Sequence, residues 1–301
     1  MPDLVSRIAG LKKSRGAVIL AHNYTLPEVQ DIADFTGDSL ELSLKARDAG
    51  APVMVFCGVR FMAETAKILS PASRVLLPAP NAGCRMADMA PAEKIRAYRA
   101  SHPDTLLVAY VNTTAAAKAE VDICCTSANA EKIVRSLPAD KKIMFLPDRN
   151  LGANIIARTG RTMELWDGCC PVHDAVTSEN LSAAAAAHPQ ALSMVHPECR
   201  PEVCAAADRA LSTGQMLRFV KESGNNDYIV GTEGGIMHRL RRDNPGKNFF
   251  PLSAEIRCAD MKEITLERIA AVLENMAPEI ELPAELLSRA RRPIDRMLEI
   301  K

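Results

Sequence analysis

The sequence has no surplus of charge: 37 Lys and Arg offset 37 Asp and Glu. Without a positive field there is nothing to gather nucleic acid or anionic lipid, so small molecules are the default partners. Long apolar runs are missing too, since none approaches the roughly 18 residues that cross a bilayer. Met1 to Gly10 mixes charges with isolated apolar residues, so it does not read as a secretory signal, and a cytoplasmic location is expected. No C-x-x-C pair occurs. Neither a G-x-x-x-x-G-K-S/T nor a G-x-G-x-x-G pattern is present, which leaves nucleotide binding without a motif. The nine cysteines are an odd number, and in a reducing compartment a disulfide framework is the weaker reading. Metal binding or plain burial remain.

What is present suits a folded protein. The 301 residues are 48% hydrophobic, enough to bury a substantial core. Short β-branched runs at Ala17–Ala21, Val53–Cys57 and Arg74–Leu77 alternate with helical patterns at Pro27–Phe35, Asp38–Ala49 and Phe61–Leu69. That alternation predicts parallel α/β structure. The order recurs with strands near Thr105–Tyr110, Asp122–Cys125, Lys142–Leu146 and Thr162–Leu165. It recurs again near Ala191–Val195, Asp208–Ala210, Tyr228–Val230 and Asn248–Phe250.

Three residue sets share one period. His22, Tyr110 and His196 close the first strand of each unit, 88 and 86 positions apart. Ser39, Ser127 and Thr213 follow at the same intervals, and Cys84, Cys170 and Cys258 end the units 86 and 88 apart. A repeat of about 86 residues is large enough to hold its own small sheet, so a closed arrangement is favoured over a solenoid. The expected fold is α/β: three similar parallel-sheet, three-layer units in pseudo-threefold arrangement around a central metal site. The units are expected at residues 1–85, 86–171 and 172–258, with a helical tail at 259–301 bracing the first. Ligands collect beyond the carboxyl ends of parallel strands, where His22, Tyr110 and His196 fall.

Thiolates are soft ligands for zinc or iron-sulphur clusters, and three in equivalent loops would leave one iron exchangeable. Spacing alone fits zinc and an iron-sulphur cluster equally. Cys57, Cys124 and Cys125 lie in apolar strand runs and read as buried hydrophobes. Cys199 and Cys204 have no cysteine partner at the repeat period and are assigned to packing. His22-Asn23-Tyr24, Tyr110-Val111-Asn112 and His196-Pro197-Glu198 supply an acid/base set beside amide and hydroxyl groups. His173 is a weaker candidate that orders the loop after Cys170, and His102, His188 and His238 read as surface residues. Ser39, Ser127 and Thr213 are expected to cap helices whose free N–H groups favour phosphate and carboxylate.

Longer stretches carry a resemblance. Ile19-Leu20-Ala21-His22-Asn23-Tyr24, the run from Gly58 to Leu69 (GVRFMAETAKIL) and Val195-His196-Pro197-Glu198-Cys199 resemble quinolinate synthase. So do Tyr110-Val111-Asn112-Thr113, Thr126-Ser127-Ala128-Asn129 and the run from Met261 to Leu266 (MKEITL). The resemblance covers nearly the whole chain. It implies condensation of iminosuccinate with dihydroxyacetone phosphate to quinolinate, with loss of phosphate and water, on the de novo route to NAD. It implies a [4Fe-4S] cluster held by Cys84, Cys170 and Cys258, one iron staying open as a Lewis acid. Substrate contacts are implied for His22, Ser39, Tyr110, Asn112, Ser127, His196, Glu198 and Thr213. Catalysis is expected from Tyr24 and Glu198 as proton-transfer groups, with His22 and His196 orienting the imine.

A functional link to the enzyme supplying iminosuccinate also follows, with neither nucleic acid nor membrane as partner. Some members carry a C-x-x-C-x-x-C run near the last ligand, whereas this chain has Cys258 alone, so no regulatory disulfide is expected there. The competing readings are a zinc-stabilised scaffold or redox sensor using the same cysteines with His173, and an electron-transfer protein.

Overall fold

A computed structural model describes residues 3–300. The first sheet contains β1 (Ala17–His22), β2 (Phe35–Gly37), β3 (Val53–Cys57) and β4 (Arg74–Leu76) in the order β2-β1-β3-β4. The second has β5 (Leu106–Tyr110), β6 (Ile123–Cys125), β7 (Ile143–Leu146) and β8 (Glu164–Leu165), ordered β6-β5-β7-β8. The third repeats the pattern with β9 (Leu192–Val195), β10 (Arg209–Ala210), β11 (Asp227–Gly231) and β12 (Asn248–Pro251), ordered β10-β9-β11-β12. Every pairing within these sheets is parallel. Parallel sheets must be covered on both faces, which is why Val53 to Cys57 are buried without alternation.

One strand departs from expectation. The helical pattern over 27–35 stops early: α2 spans Pro27–Ile32, and Phe35–Gly37 pairs with β1 as an edge strand. Three residues after a helix are too short to show a period of two.

The loop-to-strand geometry is held by a side chain that also follows the repeat. Asp34, Asp122 and Asp208 stand 88 and 86 apart, each accepting a backbone N–H from the first strand of its sheet. The donors are Ile19, Leu107 and Ser193, each at 2.8 Å. The opening helix α1 (Leu4–Arg15) ends at Gly16, whose φ of 59° places its N–H on the carbonyls of Lys12 and Lys13.

The helical tail consists of three helices. After α15 (Ala259–Lys262), α16 (Leu266–Asn275) lies against α1 and β3, burying Ile269, Val272 and Leu273 in the first sheet's core. Then α17 (Ala284–Glu299) crosses to β6 and buries Ala290, Ile294 and Met297 in the second core. The third sheet has a separate core on each face, because Met194 and Val195 point to opposite sides. Among the described residues no helix is long and apolar enough to cross a membrane.

Candidate active site

The first strands of the three sheets aim their carboxyl ends at one cavity of about 390 Å³. His22, Tyr24, Tyr110, Asn112, His196 and Glu198 line it, as do Ser39, Ser127 and Thr213. Cys84, Cys170 and Cys258 face the same space from the ends of the units. Cys57, Cys124, Cys125, Cys169, Cys199 and Cys204 do not line it, and all but Cys204 are buried.

Each cavity cysteine precedes one short helical turn: Cys84 before α5 (Arg85–Asp88), Cys170 before α10 (Pro171–Asp174), and Cys258 before α15. Burial pushes the Cys84 thiol up to about 12, opposed by the nearby backbone N–H groups of Ala87 and Met86. Burial raises Cys170 and Cys258 as well, opposed by backbone N–H groups of His173, and of Met261 and Asp260. Three soft donors, each met by backbone N–H groups and all facing one cavity, fit an iron-sulphur cluster. The Cys258 N–H donates to Glu233 Oε1 at 3.2 Å, and that buried carboxylate pairs with Lys262 Nζ at 2.8 Å.

The two histidines are matched. Tyr24 N–H donates to His22 Nδ1 at 3.2 Å, and Glu198 N–H to His196 Nδ1 at 3.3 Å. With Nδ1 accepting, the ring hydrogen sits on Nε2. Burial drives both pKa values down to about 3, although Glu198 opposes the shift, so both rings are neutral hydrogen-bond donors near pH 7.

Glu198 sits at a junction. Its Oε1 accepts from Tyr110 Oη at 2.5 Å, and its Oε2 lies 2.7 Å from His173 Nδ1. Burial disfavours the charged carboxyl, but the imidazoles of His196 and His173 and the Tyr110 hydroxyl outweigh it and hold Glu198 below the ordinary range. His173 Nε2 is 2.9 Å from Thr232 Oγ1, which is 2.6 Å from Tyr24 Oη. Hydrogen bonds therefore run from Tyr24 through Thr232 to His173, whose Nδ1 is 3.3 Å from the Cys170 sulphur and in close contact with the Glu198 carboxylate, and Glu198 is bonded in turn to Tyr110. Burial, reinforced by the Glu198 charge, raises both tyrosines and keeps the phenols protonated.

The hydroxyl residues are not helix caps. Asp38 and Ser212 cap α3 (Ser39–Asp48) and α13 (Thr213–Glu222), so Ser39 and Thr213 occupy the first helical position. Asn129 stands before α8 (Ala130–Ser136), and Ser127 lies in the preceding turn. The signal was present as Asp38-x-x-Glu41 and Ser212-x-x-Gln215, both forming capping boxes. Released from capping, the Thr213 hydroxyl accepts from Asn23 Nδ2 at 3.2 Å and keeps its hydrogen for another partner. The α13 N-terminus is less open than expected, since the Asp38 carboxylate accepts from the Ser212 hydroxyl at 3.4 Å and sits against Gly214, where a Cβ would lie 2.6 Å from its Oδ2. Asn112 Oδ1 is buried with no hydrogen-bond partner, an orphan group on the cavity wall.

Thr232 and Glu233 also line or adjoin the cavity without a sequence signal tied to the repeat, whereas Asp38 keeps the repeat period with Thr126 and Ser212. His173 is more central than the sequence suggested: Cys170, His173 and Glu198 present ligand atoms within 4.8 Å of one another.

The family model described as NadA: Quinolinate synthetase A protein matches residues 6–299. A protein named quinolinate synthase from Desulforudis audaxviator is 49% identical over 298 residues, covering 99% of this chain and 98% of the relative. One of the same name from Methanoregula boonei is 50% identical over 297 residues, with the same coverage. Another, from Geobacter metallireducens, is 48% identical over 293 residues, covering 97% and 96%. These likenesses leave the zinc-stabilised scaffold without support.

Proposed function

The chain belongs to the quinolinate synthase family and is an enzyme with that activity, and from this premise we propose that it joins iminosuccinate to dihydroxyacetone phosphate as a transferase. Quinolinate, phosphate and water are the products, made in the cytoplasm on the de novo route to NAD. The reading couples the enzyme to the one that supplies iminosuccinate. Cys84, Cys170 and Cys258 would hold a [4Fe-4S] cluster, whose iron without a protein sulphur supplies Lewis-acid chemistry suited to loss of water.

The chain's own groups divide the remaining work. His22 and His196, as neutral Nε2–H donors, bind carboxylate and imine without bringing a charge that would neutralise Glu198. Asn112, Ser39, Ser127 and Thr213 offer polar contacts to carboxylate and phosphate. Glu198, held ionised, accepts a proton from the imine partner, and Tyr24, held protonated, delivers one to a leaving hydroxyl. Tyr110 anchors Glu198 through its 2.5 Å bond. Unit boundaries at residues 85, 171 and 258 are part of the same proposal, since each unit contributes one cysteine and one strand-end pair.

The observation that carries the reading is the convergence of three matched strand ends and three matched cysteines on one cavity. Anaerobic incubation of cluster-loaded protein with the two substrates tests it. Quinolinate and phosphate should appear one to one, and loaded protein that releases neither would overturn the assignment.

A further inference from the structure

The helix α9 (Arg149–Thr159) belongs to the second unit, yet its two buried asparagines bond to the third. Asn154 Nδ2 donates to the carbonyls of Pro197 at 2.9 Å and Cys199 at 3.0 Å. One turn earlier on the same face, Asn150 Nδ2 donates to the Glu198 carbonyl at 3.2 Å and to Asp174 Oδ1 at 2.8 Å. Three consecutive carbonyls around Glu198 are thus held by another unit. Gly152 between them allows the close approach of α9 to its sheet, because a Cβ there would lie 2.4 Å from Leu165 and 3.0 Å from Phe145.

The other two loops are held in the same way by their own side chains. Gln30 Nε2 donates to the carbonyls of Asn23 at 3.1 Å and Thr25 at 2.9 Å. Lys118 Nζ donates to Val111 O at 2.7 Å and to Thr113 O. The acceptors 23, 111 and 197, and 25, 113 and 199, keep the repeat period, as do positions 30 and 118. At the third position stands Cys204, a weak donor, and Asn154 Nδ2 lies 3.2 Å from its sulphur. The Cys204 thiol reaches the Cys199 carbonyl at 3.5 Å, and the stronger amide donor is brought in from the second unit.

We propose that Asn150 and Asn154 are positioning residues that fix the Glu198 backbone, and through it the carboxylate, against Tyr110 and His173. The inference rests on the reading of Glu198 as the proton acceptor. Removing their amides frees the loop without touching substrate. A misplacement of about 1 Å costs on the order of 100-fold in rate.

The test uses the loaded full-length enzyme. Asn154→Leu, close in size but without donors, should lower kcat about 10- to 100-fold with little change in KM. Amide hydrogen exchange should quicken in the peptide covering 195–204. In a Glu198→Gln background the same substitution should lower kcat no further. An equal fold-loss in both backgrounds would show that Asn154 does not act through Glu198 and overturn the proposal. If Glu198→Gln itself keeps normal turnover, the proton-acceptor reading fails, and unchanged exchange in 195–204 then overturns the positioning role separately. Asn150→Ala, which leaves both Asn154 bonds in place, carries the same measurements should Asn154→Leu not fold, with a smaller kcat loss expected.

Discussion

At the residue scale, the groups that face the cavity differ from similar residues elsewhere in what they leave unbonded. Cys84, Cys170 and Cys258 reach the shared space, whereas Cys169 does not line it and its backbone N–H meets the Met89 sulphur at 3.4 Å. Replacing any one of the three by Ala should abolish cluster retention, while Cys124→Ala and Cys169→Ala should retain it. Iron and sulphide analysis of purified protein decides this. Glu198→Gln keeps the size of the side chain but cannot take a proton, so turnover should fall by about 10² to 10⁴ while cluster content and melting temperature hold. Near-normal turnover with a lowered melting temperature would remove Glu198 from the chemistry. Thr213→Val deletes a hydroxyl whose hydrogen Asn23 leaves free, and should weaken binding of a phosphate- or carboxylate-bearing substrate roughly 10- to 100-fold. Isothermal titration beside a melting curve separates that from a general loss of stability.

At the scale of elements, the aspartate clamps tie each first strand to the loop beside it. Asp208 receives both the N–H and the hydroxyl of Ser193, and the Ser193 backbone bond is the main cause holding its carboxyl below the ordinary range. A depressed carboxyl stabilises the fold above its unfolded pKa and loses that contribution as pH falls through the folded value. Asp208→Asn should therefore cost about 0.5–1.5 kcal/mol near pH 7, a range reduced because the group is exposed to solvent. The difference from wild type should shrink below about pH 4, as melting curves at several pH values would show. The strands themselves were readable from sequence because Val53 to Cys57 or Leu106 to Tyr110 are continuous apolar runs between turn signals. The edge strand Phe35–Gly37 was not, being only three residues long. Capping was read one residue late at Ser39 and Thr213, where the better acceptors Asp38 and Ser212 come first. The roles of His173 and Thr232 were not legible because their partners are far away in sequence, 59 residues between His173 and Thr232 and 208 between Thr232 and Tyr24, and no local spacing reports a contact of that kind.

At the scale of the whole molecule, the first sheet is completed by the far end of the chain. Met261, Ile264, Ile269 and Leu273 belong to the core around β1 and β3, and α17 extends the closure to the second sheet. A fragment of residues 1–85 should therefore lack native helix content, and adding residues 259–300 through a short linker should restore it. Circular dichroism on the two fragments tests this. Native structure in the short fragment would show that the tail is dispensable to the first unit.

The position of Cys258 has a consequence for the order of events in the cell. Synthesis delivers Cys84 and Cys170 long before the third cysteine, and the segment that closes the first sheet emerges later still. A nascent or prematurely terminated chain offers at most two of the three thiols on any shared surface. On the proposed ligand set, a chain stopped before Cys258 lacks one of the three thiols, so cluster assembly would wait until that residue has been made.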